Sequence, residues 1–259
     1  MNCKICNKNN EVIFNGKVLN KYNIEYFHCT NCGFLQTEEA YWLEEAYTES
    51  INLSDTGIMS RNINLSKLST VLIYVFFDKN KKFLDFAGGY GIFTRLMRDI
   101  GFDFYWNDKY SSNLVARGFE YDDSDKIELL TSFESFEHFE DPIYEIENML
   151  KISKNILFST DLVPNSIPKP NDWWYYGLEH GQHISFYRLE TLEFLAKKYN
   201  LYLYTNNKNV HLLSEKKLNN FLFIMIFKMN RLPLFSLIKR QIKSKTLLDM
   251  NNIIKRMKI

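Results

Sequence analysis

The chain has 259 residues, and its 46% hydrophobic and 16% aromatic content excludes a disordered or low-complexity protein. Its formal net charge of +1 is unevenly distributed: residues 208–259 hold 12 Lys or Arg against Glu215 and Asp249, a net of +10, so the other 207 residues carry about −9. An acidic body disfavours a nucleic-acid-binding protein, whereas the basic tail indicates either an anionic partner surface or simply a solvated helix face.

The N-terminal sequence MNCKICNKNN lacks the apolar segment of a secretory signal. The longest apolar run, residues 221–227, is far shorter than the roughly 20 residues that span a bilayer. We therefore expect a cytoplasmic protein.

All four cysteines lie in the first 32 residues, as two C-x-x-C pairs: Cys3 with Cys6, and Cys29 with Cys32. Two such pairs separated by 22 residues suit tetrahedral thiolate coordination of Zn²⁺. A site with four thiolate ligands has no open position and is usually structural. Two disulfides are the alternative, which a reducing cytoplasm disfavours. We predict a small zinc ribbon and linker over residues 1–50, followed by helical structure between residues 38 and 80.

Residues 83–108 form the most informative segment. An apolar strand at residues 83–86 leads into a glycine turn, and residues 92–100 have the apolar spacing of a helix that stops at Gly101. A second strand, residues 102–106, precedes Asp108, and residues 111–118 are expected to form a second helix. The glycines of the turn are Gly88, Gly89 and Gly91. Such a β–α–β unit places a helix N-terminus and an acid at one edge of a parallel sheet, which predicts a cofactor that carries a ribose.

The acid two residues before the turn, Asp85, would repel the pyrophosphate of a dinucleotide but suits a ligand with an ammonium group. The pattern D-x-A-G-G-Y-G resembles motif I of the class I S-adenosylmethionine-dependent methyltransferases, D/E-x-G-x-G-x-G, with Ala87 in place of the first glycine. The resemblance implies that Asp85, Ala87 and the three glycines hold the methionine end of S-adenosylmethionine. It also implies that Asp108 holds the ribose.

A second segment supports this resemblance. Residues 133–142, FESFEHFEDP, are similar to the F-E-x-x-E-H-x-x-D-P pattern that ends a cofactor-pocket strand in these enzymes. By that resemblance Ser132, Phe133 and Glu134 line the cofactor crevice, and Asp141-Pro142 opens the next helix. His138 is more often a structural cap in this pattern. The fold implied is α/β, with a Rossmann-like seven-stranded sheet, helices on both faces and an antiparallel final strand, over residues 51–215.

The aromatic loop that includes residues 173–183 supplies the candidates for catalysis. Methylation of an alcohol benefits from a base, and histidine is the natural one. The loop resembles the E-H-x-x-x-F region of methyltransferases that act on sugars or nucleotide-sugars, some of which carry an N-terminal zinc ribbon. The comparison implies His180 as the base and His183 as the second candidate, with Glu179 and Tyr176 as orienting groups. The alternative is that the two histidines only hydrogen-bond the loop together.

Residues 216–259 form a basic tail with apolar residues near helical spacing. Such a stripe packs on the parent domain or on a twin subunit, or lies on an anionic membrane surface. Both interpretations stay open, and with them a homodimer and a peripheral position on the inner membrane face.

Taken together, the resemblances imply an S-adenosylmethionine-dependent O-methyltransferase without a catalytic metal. Its acceptor would be a small molecule or glycan, namely a sugar or sugar-linked group in capsule or lipopolysaccharide synthesis. An RNA base methyltransferase and a non-catalytic scaffold with the same fold are the alternatives.

Overall fold

The computed structural model describes residues 1–48, 52, 55–228 and 231–258. The chain forms two compact units, Met1–Asn52 with Ser132–Lys216 and Leu53–Thr131 with Lys217–Ile259. We call these the first and the second unit. The boundary predicted between residues 50 and 51 lies outside the described residues, and the three predicted domains remain a prediction.

The strands are β1 (Glu11–Val18), β2 (Tyr22–His28), β3 (Leu35–Thr37), β4 (Lys82–Phe86), β5 (Asp103–Asn107), β6 (Ile127–Ser132), β7 (Asn155–Ser159), β8 (Ser185–Phe186), β9 (Tyr202–Thr205) and β10 (Val210–Ser214). The helices are α1 (Leu43–Ala46), α2 (Ile58–Phe76), α3 (Ile92–Ile100), α4 (Pro142–Ile152), α5 (Leu189–Lys198), α6 (Asn220–Lys228), α7 (Arg231–Gln241) and α8 (Thr246–Met257). Three short 3₁₀ turns cover Phe136–His138, Pro170–Asp172 and Trp174–Tyr176.

The first unit contains an antiparallel sheet in the order β1-β2-β3-β8. β1 and β2 form a hairpin whose connection places Leu19 and Asn20 at φ of 54°, as the tightest hairpin turns require. Ile24 and Tyr26, two residues apart on β2, are both fully buried, so one face of the hairpin packs into the core. β3 also pairs with β8, which joins the N-terminal strands to the segment after His183.

The first unit also holds three strands of the α/β sheet. β10 pairs with both β7 and β9 in antiparallel register, so the predicted antiparallel final strand is confirmed. Asp141 accepts a hydrogen bond from the backbone of Tyr144 at 3.0 Å, and Pro142 occupies the first turn of α4. The prediction that Asp141 and Pro142 begin this helix is therefore also confirmed.

The second unit contains the predicted β–α–β segment. β4 lies between β5 and β6 and pairs with both in parallel. The predicted α/β class is confirmed. Among the described residues the sheet has six strands, whereas seven were predicted. An isolated parallel bridge pairs Trp106 of β5 with Glu120, at the edge where a further strand could pair with β5.

The helix predicted over residues 111–118 is wrong: these residues form bends and turns. The side chain of Asn113 accepts a hydrogen bond from the backbone of Ala116 at 2.9 Å, which competes with a helical ladder. Gly118 then has a φ of +87°, outside the helical region. Local side-chain bonding therefore overrides the apolar spacing that suggested a helix.

The tail also lies in the second unit. α6 and α7 bury Phe223, Ile226 and Ile238, and the ring of Phe223 lies 6.4 Å from that of Phe76 on α2. Part of the predicted apolar stripe thus packs on the parent domain. Of the described helices, none is by itself long and apolar enough to cross a membrane, although Asn220–Lys228 and Pro233–Gln241 pass by length and composition as a bent pair.

Candidate functional site

Asp85 lies beneath the glycine turn, on β4 in the second unit, with only 2% of its surface exposed. Its two carboxylate oxygens accept hydrogen bonds from the hydroxyls of Thr94 at 3.0 Å and Thr131 at 3.1 Å. Burial raises the pKa of Asp85 to about 7; the two threonine hydrogen bonds oppose this shift and the negative charge of Asp108 adds to it. A cationic ligand would favour the ionised form of such a group.

The turn itself brings the backbone close to Asp85. A Cβ at Gly88 would lie 2.7 Å from the Asp85 Oδ2 atom and 2.9 Å from the Trp106 ring, so the turn has no room for a side chain there. Gly91 has a φ of +83° and begins α3. Ala87, the residue that replaces the first glycine of the motif, also adopts a positive φ of 55°. The glycine-like backbone is therefore retained at the cost of strain in a non-glycine residue.

Asp108, just after β5, faces the same turn. Its carboxylate accepts hydrogen bonds from three backbone N–H groups: Gly89 at 2.9 Å, Tyr110 at 2.8 Å and Ser111 at 2.7 Å. The indole of Trp106 donates to the carbonyl of Gly89 at 2.8 Å. This second hydrogen bond to the glycine turn was not predicted from the sequence. The structure thus brings the predicted methionine-end and ribose residues together within the second unit.

Of the remaining predicted cofactor residues, Ser132 ends β6, and Phe133 and Glu134 follow it; all three belong to the first unit. Ser132 and Ser135 share a hydrogen bond of 2.6 Å between their hydroxyls. Glu134 has a φ of +51°, and its carboxylate accepts a hydrogen bond from Ser159 at 2.6 Å. The Ser159 hydroxyl in turn accepts the Glu134 backbone N–H at 2.8 Å. These bonds fix the left-handed backbone of Glu134, which is otherwise costly for a non-glycine residue.

Three histidines cluster in the first unit. The rings of His180 and His183 are 4.8 Å apart between centroids, and those of His138 and His183 are 4.9 Å apart. The two predicted bases are therefore neighbours, and His138 joins them, which its expected role as a cap did not suggest. A backbone hydrogen bond from Ile184 to Glu137 at 2.9 Å holds the two segments side by side.

The hydrogen bonds of these rings distinguish their nitrogen atoms. His183 Nδ1 donates to the carbonyl of Tyr175 at 2.6 Å, and His138 Nδ1 donates to the carbonyl of Gln182 at 3.0 Å. In both neutral rings the lone pair therefore lies on Nε2. His180 is different, because its Nδ1 accepts the backbone N–H of Gln182 at 3.1 Å and a neutral ring then carries its proton on Nε2.

Burial lowers the pKa of His138 to about 4 and that of His183 well below its ordinary range. Both rings are therefore neutral at pH 7 in the ligand-free protein. Glu137 beside them is fully buried, and burial together with the charge of Glu134 raises its pKa well above the usual range. This concentration of perturbed groups marks the histidine cluster as a candidate site.

The two predicted orienting groups lie in different surroundings. Tyr176 is buried to 1% exposure, its ring lies 5.4 Å from that of Tyr26, and its hydroxyl donates to the carbonyl of Pro168 at 2.9 Å. Glu179 is exposed and lines a cleft of about 460 Å³. The other residues that line this cleft are Asn15, Gly16, Lys17, Asn20, Lys169, Pro170, Asn171, Asp172 and Leu178.

The four cysteines come together as their spacing predicts. The Sγ atoms of Cys3 and Cys32 are 3.6 Å apart and those of Cys6 and Cys29 are 3.4 Å apart, far beyond a disulfide bond of about 2.05 Å. All four Sγ atoms lie within 4.8 Å of one another. Around an ion with bonds of about 2.3 Å, tetrahedral sulfur atoms lie roughly 3.8 Å apart. The donor set and its spacing therefore fit Zn²⁺.

The N-terminal segment, residues 1–48, which carries the four cysteines, also supports the histidine loop. The indole of Trp42 donates to the carbonyl of Gly181 at 2.8 Å, between His180 and His183. A Cβ at Gly181, where φ is +66°, would lie 2.5 Å from a methyl group of Val18. On the other side, the hydroxyl of Thr191 donates to the carbonyl of Cys32 at 2.8 Å. Sequence reasoning treated the ribbon as a separate module and did not predict these contacts.

A family model described as a methyltransferase domain matches residues 61–206, more than half of the chain. Comparison with curated proteins gives no match.

Several solved methyltransferase structures are similar. The plantazolicin methyltransferase BpumL in complex with SAH is 14% identical, with coverage of 79% of this chain and 91% of that one and a TM-score of 0.45. Human N-acetylserotonin methyltransferase in complex with SAM is 12% identical, with coverage of 69% and 67% and a TM-score of 0.43. An O-methyltransferase family 2 protein from Planctomyces limnophilus DSM 3776 is 12% identical, with coverage of 67% and 65% and a TM-score of 0.40. The chain thus spans just under two thirds of this last protein. These likenesses carry no inference about a substrate.

Proposed function

Because the chain belongs to the family of S-adenosylmethionine-dependent methyltransferase domains, we propose that it O-methylates a sugar or sugar-linked group in capsule or lipopolysaccharide synthesis. The observation that carries the choice of an oxygen acceptor is the neutral His183 ring, whose Nδ1–H bond to Tyr175 leaves Nε2 as a proton acceptor. A sugar hydroxyl has a pKa far above 7, so a base that takes its proton assists attack on the methyl group.

The residues of the second unit fit the cofactor. Asp85, once ionised, would pair with the ammonium group of the methionine end, and the glycine turn allows close approach of the ligand. Asp108 would accept hydrogen bonds from the ribose hydroxyls in addition to its bonds with the turn. Ser132, Phe133 and Glu134 are proposed as further cofactor-binding residues.

In the proposed reaction, an acceptor oxygen attacks the methyl carbon of the sulfonium in one displacement, and S-adenosylhomocysteine leaves. The acceptor proton passes to Nε2 of His183. His180 is proposed to orient the acceptor, because its neutral tautomer presents an N–H at Nε2. Glu179 is proposed to contact the sugar from the cleft and Tyr176 to hold the loop in place.

The cleft beside the hairpin supports a sugar acceptor. Its lining combines Lys17 and Lys169 with Asp172 and Glu179 and contributes backbone and amide groups. Hydroxyl-rich rings are bound by such mixed hydrogen-bonding groups, and the two lysines would suit the phosphates of a nucleotide-sugar.

A panel of nucleotide-sugars, incubated with S-adenosylmethionine and analysed by mass spectrometry, tests the acceptor class directly. We expect one methyl group to be added to at least one sugar, at a hydroxyl that fragmentation identifies. Methylation of RNA with no methylated sugar would instead favour an RNA base methyltransferase. Calorimetry that detects no binding of S-adenosylmethionine would favour a scaffold.

Variants of the histidines test the proposed roles. His183→Gln should lower kcat at least tenfold, since the amide cannot take the proton, while the affinity for S-adenosylmethionine stays within twofold. His180→Gln, which keeps a side-chain N–H donor, should mainly raise KM for the acceptor. Full activity of both variants would reject the histidine cluster as the acceptor site.

We also propose that Cys3, Cys6, Cys29 and Cys32 hold a structural Zn²⁺ ion. The N-terminal segment that carries them supports the histidine loop through Trp42, so loss of the ion should affect the acceptor site. A strong chelator should remove the ion from the four thiolates and expose Trp42, which the difference in tryptophan fluorescence between wild type and Trp42→Phe reports. Unchanged fluorescence on complete zinc removal would contradict a structural role.

A peripheral membrane position is proposed for the tail. α8 exposes Leu247 by 69%, Met250 by 49% and Met257 by 80%, and Lys255 and Arg256 lie on the same helix. Exposed apolar side chains beside cations suit an anionic lipid surface. Flotation with anionic vesicles should carry the protein upward, whereas zwitterionic vesicles or Met257→Asp should not; equal flotation in all three would contradict the proposal.

A further inference from the structure

The side chains of Glu137, His138 and His183 converge in the first unit, and one ligand atom of each lies within 4.8 Å of the others. We propose that these three residues bind a divalent transition-metal ion of the Zn²⁺ class, at a site separate from the four cysteines. The proposal depends on these residues alone and not on the proposed O-methylation.

Glu137 is the first reason. It is fully buried, and neither of its carboxylate oxygens has a hydrogen-bond partner among the residues that the structure describes. The hydroxyl of Tyr175 is near enough to oppose the rise in the pKa of Glu137, and it also forms a hydrogen bond with the hydroxyl of Thr160 at 3.1 Å. Buried polar groups are nearly always paired, and buried carboxylates are paired with cations or coordinate metals. A bound cation would account for this carboxylate.

The two histidines are the second reason. His138 and His183 both use Nδ1 for a backbone carbonyl, of Gln182 and of Tyr175 respectively. A metal-ligating histidine usually donates its other ring N–H to a carbonyl or carboxylate, which fixes the tautomer and orients the ring. The hydroxyl of Tyr47, 2.8 Å from His138 Nδ1, adds to this support. Both Nε2 atoms are therefore available to an ion.

The donor set indicates the kind of ion. Two imidazoles and one carboxylate suit Zn²⁺ and its neighbours in the first transition series, whereas Mg²⁺ and Ca²⁺ prefer sites made of oxygen atoms. Ligand atoms around a tetrahedral ion with bonds of about 2.1 Å lie roughly 3.4 Å apart, so the three side chains would close by about an ångström. Three protein ligands leave at least one position open, unlike the four-thiolate site.

The ion would change the role of His183. With Nε2 bound to the metal, His183 cannot also take a proton there, and a hydroxyl group bound to the ion would lose its proton more easily. The bound ion therefore excludes His183 as the proton acceptor, whereas O-methylation itself remains compatible with the metal site. The two proposals are tested by different measurements. Metal content and spectroscopy report the site whether or not an acceptor is known.

Metal analysis of the wild-type full-length chain is the first test. Protein purified in the presence of Zn²⁺ and freed of excess metal should hold two zinc ions per chain, one on thiolates and one on histidines. Replacement by Co²⁺ should give intense sulfur-to-metal charge-transfer bands for the first site and additional weak d–d bands for the second. One ion per chain, with thiolate bands alone, would overturn the proposal.

Variants identify the ligands. Glu137→Gln and His183→Gln, which nearly preserve side-chain volume, should each reduce the content from two ions to one and keep the thiolate bands. His211→Asn is the control: His211 is fully buried in the first unit, and both of its ring nitrogens are bonded, to Thr205 at 2.8 Å and Thr160 at 3.0 Å. The His211→Asn variant should retain two zinc ions per chain. Two ions in both ligand variants would place the second ion elsewhere and contradict the assignment. If a variant fails to fold, the number of zinc ions in the wild-type chain still tests whether a second site exists.

Discussion

Arg98 and Asp249 form a buried bidentate ion pair in the second unit, with Nε and one terminal nitrogen of the guanidinium each 2.8 Å from a carboxylate oxygen. Only 4% and 2% of their side-chain surfaces are exposed. Arg95 reaches the same carboxylate at 2.9 Å, and the Arg98 guanidinium lies 3.7 Å from the centroid of the Phe119 ring. Arg98 belongs to α3, the helix after the glycine turn, so this pair joins α8 to the predicted cofactor motif.

Asp249→Ala should lower the free energy of unfolding by about 3 kcal/mol, because it leaves the Arg98 charge buried without its main partner. The loss should lie at the lower end of the range for broken buried pairs, since Asp103 still contacts Arg98 at 3.0 Å. Urea denaturation followed by circular dichroism measures it. Lys255→Ala, an exposed change on the same helix, should alter stability by less than about 0.5 kcal/mol. Equal effects of the two variants would show that the pair is not what stabilises α8.

The cofactor motif could be predicted from sequence because its determinants are local. The strand, the glycine turn and the helix follow one another, and Asp85 and Asp108 stand at the ends of the two strands. The same local reasoning accepted Ala87 as a small change, and the structure shows that this residue keeps the glycine-like backbone.

The acceptor side could not be predicted in the same way. The grouping of His138 with His183 depends on the contact between Glu137 and Ile184, which no local pattern encodes. Tyr176 and Glu179 are three residues apart, yet one lies in the aromatic core and the other at the surface. That separation is set by packing against the N-terminal segment, notably by Tyr26 of the hairpin and by Trp42. The burial of Glu137 likewise has no sequence signal, since acids are ordinarily exposed.

Ala87→Gly should raise the free energy of unfolding by roughly 0.5–1 kcal/mol. Glycine tolerates a φ of +55° without the clash of a Cβ, and its greater freedom in the unfolded chain offsets part of that gain. Thermal unfolding of the cofactor-free protein measures the effect. A loss of stability would contradict the strain inferred at this position.

Gly88→Ala should weaken binding of S-adenosylmethionine at least tenfold. Its Cβ would lie 2.7 Å from the Asp85 carboxylate and must displace either that group or the turn. Gly89→Ala is a useful comparison, because a Cβ there meets nothing within 4 Å and introduces backbone strain alone. Calorimetry should therefore show the larger loss of affinity for Gly88→Ala. The reverse order would show that the approach of the turn to Asp85 does not determine binding.

Asp108→Ala should weaken cofactor binding more than Asp108→Asn does. The alanine variant removes the acceptor of all three backbone N–H bonds, whereas asparagine keeps one carbonyl oxygen for Gly89 or for Tyr110 and Ser111. Hydrogen exchange in the cofactor-free protein should show faster exchange of these amides in the alanine variant. Unchanged affinity in both variants would refute the ribose assignment.

The pH dependence of cofactor binding should report the ionisation of Asp85. The ordinary pKa of this group is 3.8, and burial raises it to about 7 in the ligand-free protein, so below that pH it is mostly protonated. The groups that face it are Thr94, Thr131 and the negatively charged Asp108. Binding of an ammonium group requires the carboxylate. The affinity should therefore rise by up to tenfold per pH unit between pH 5.5 and about 7 and then level off.

Stability should change in the opposite direction. A carboxyl group whose pKa is raised in the folded state stabilises the fold at low pH, and this contribution is lost as pH rises from about 3.8 to about 7. Asp85→Asn removes both effects, so differences between wild type and this variant isolate Asp85 from the titration of the cofactor's own amino group and of other residues. Calorimetry and urea denaturation across this range measure the two curves. Parallel curves for wild type and variant would show that Asp85 is ionised throughout and that its burial does not control cofactor binding.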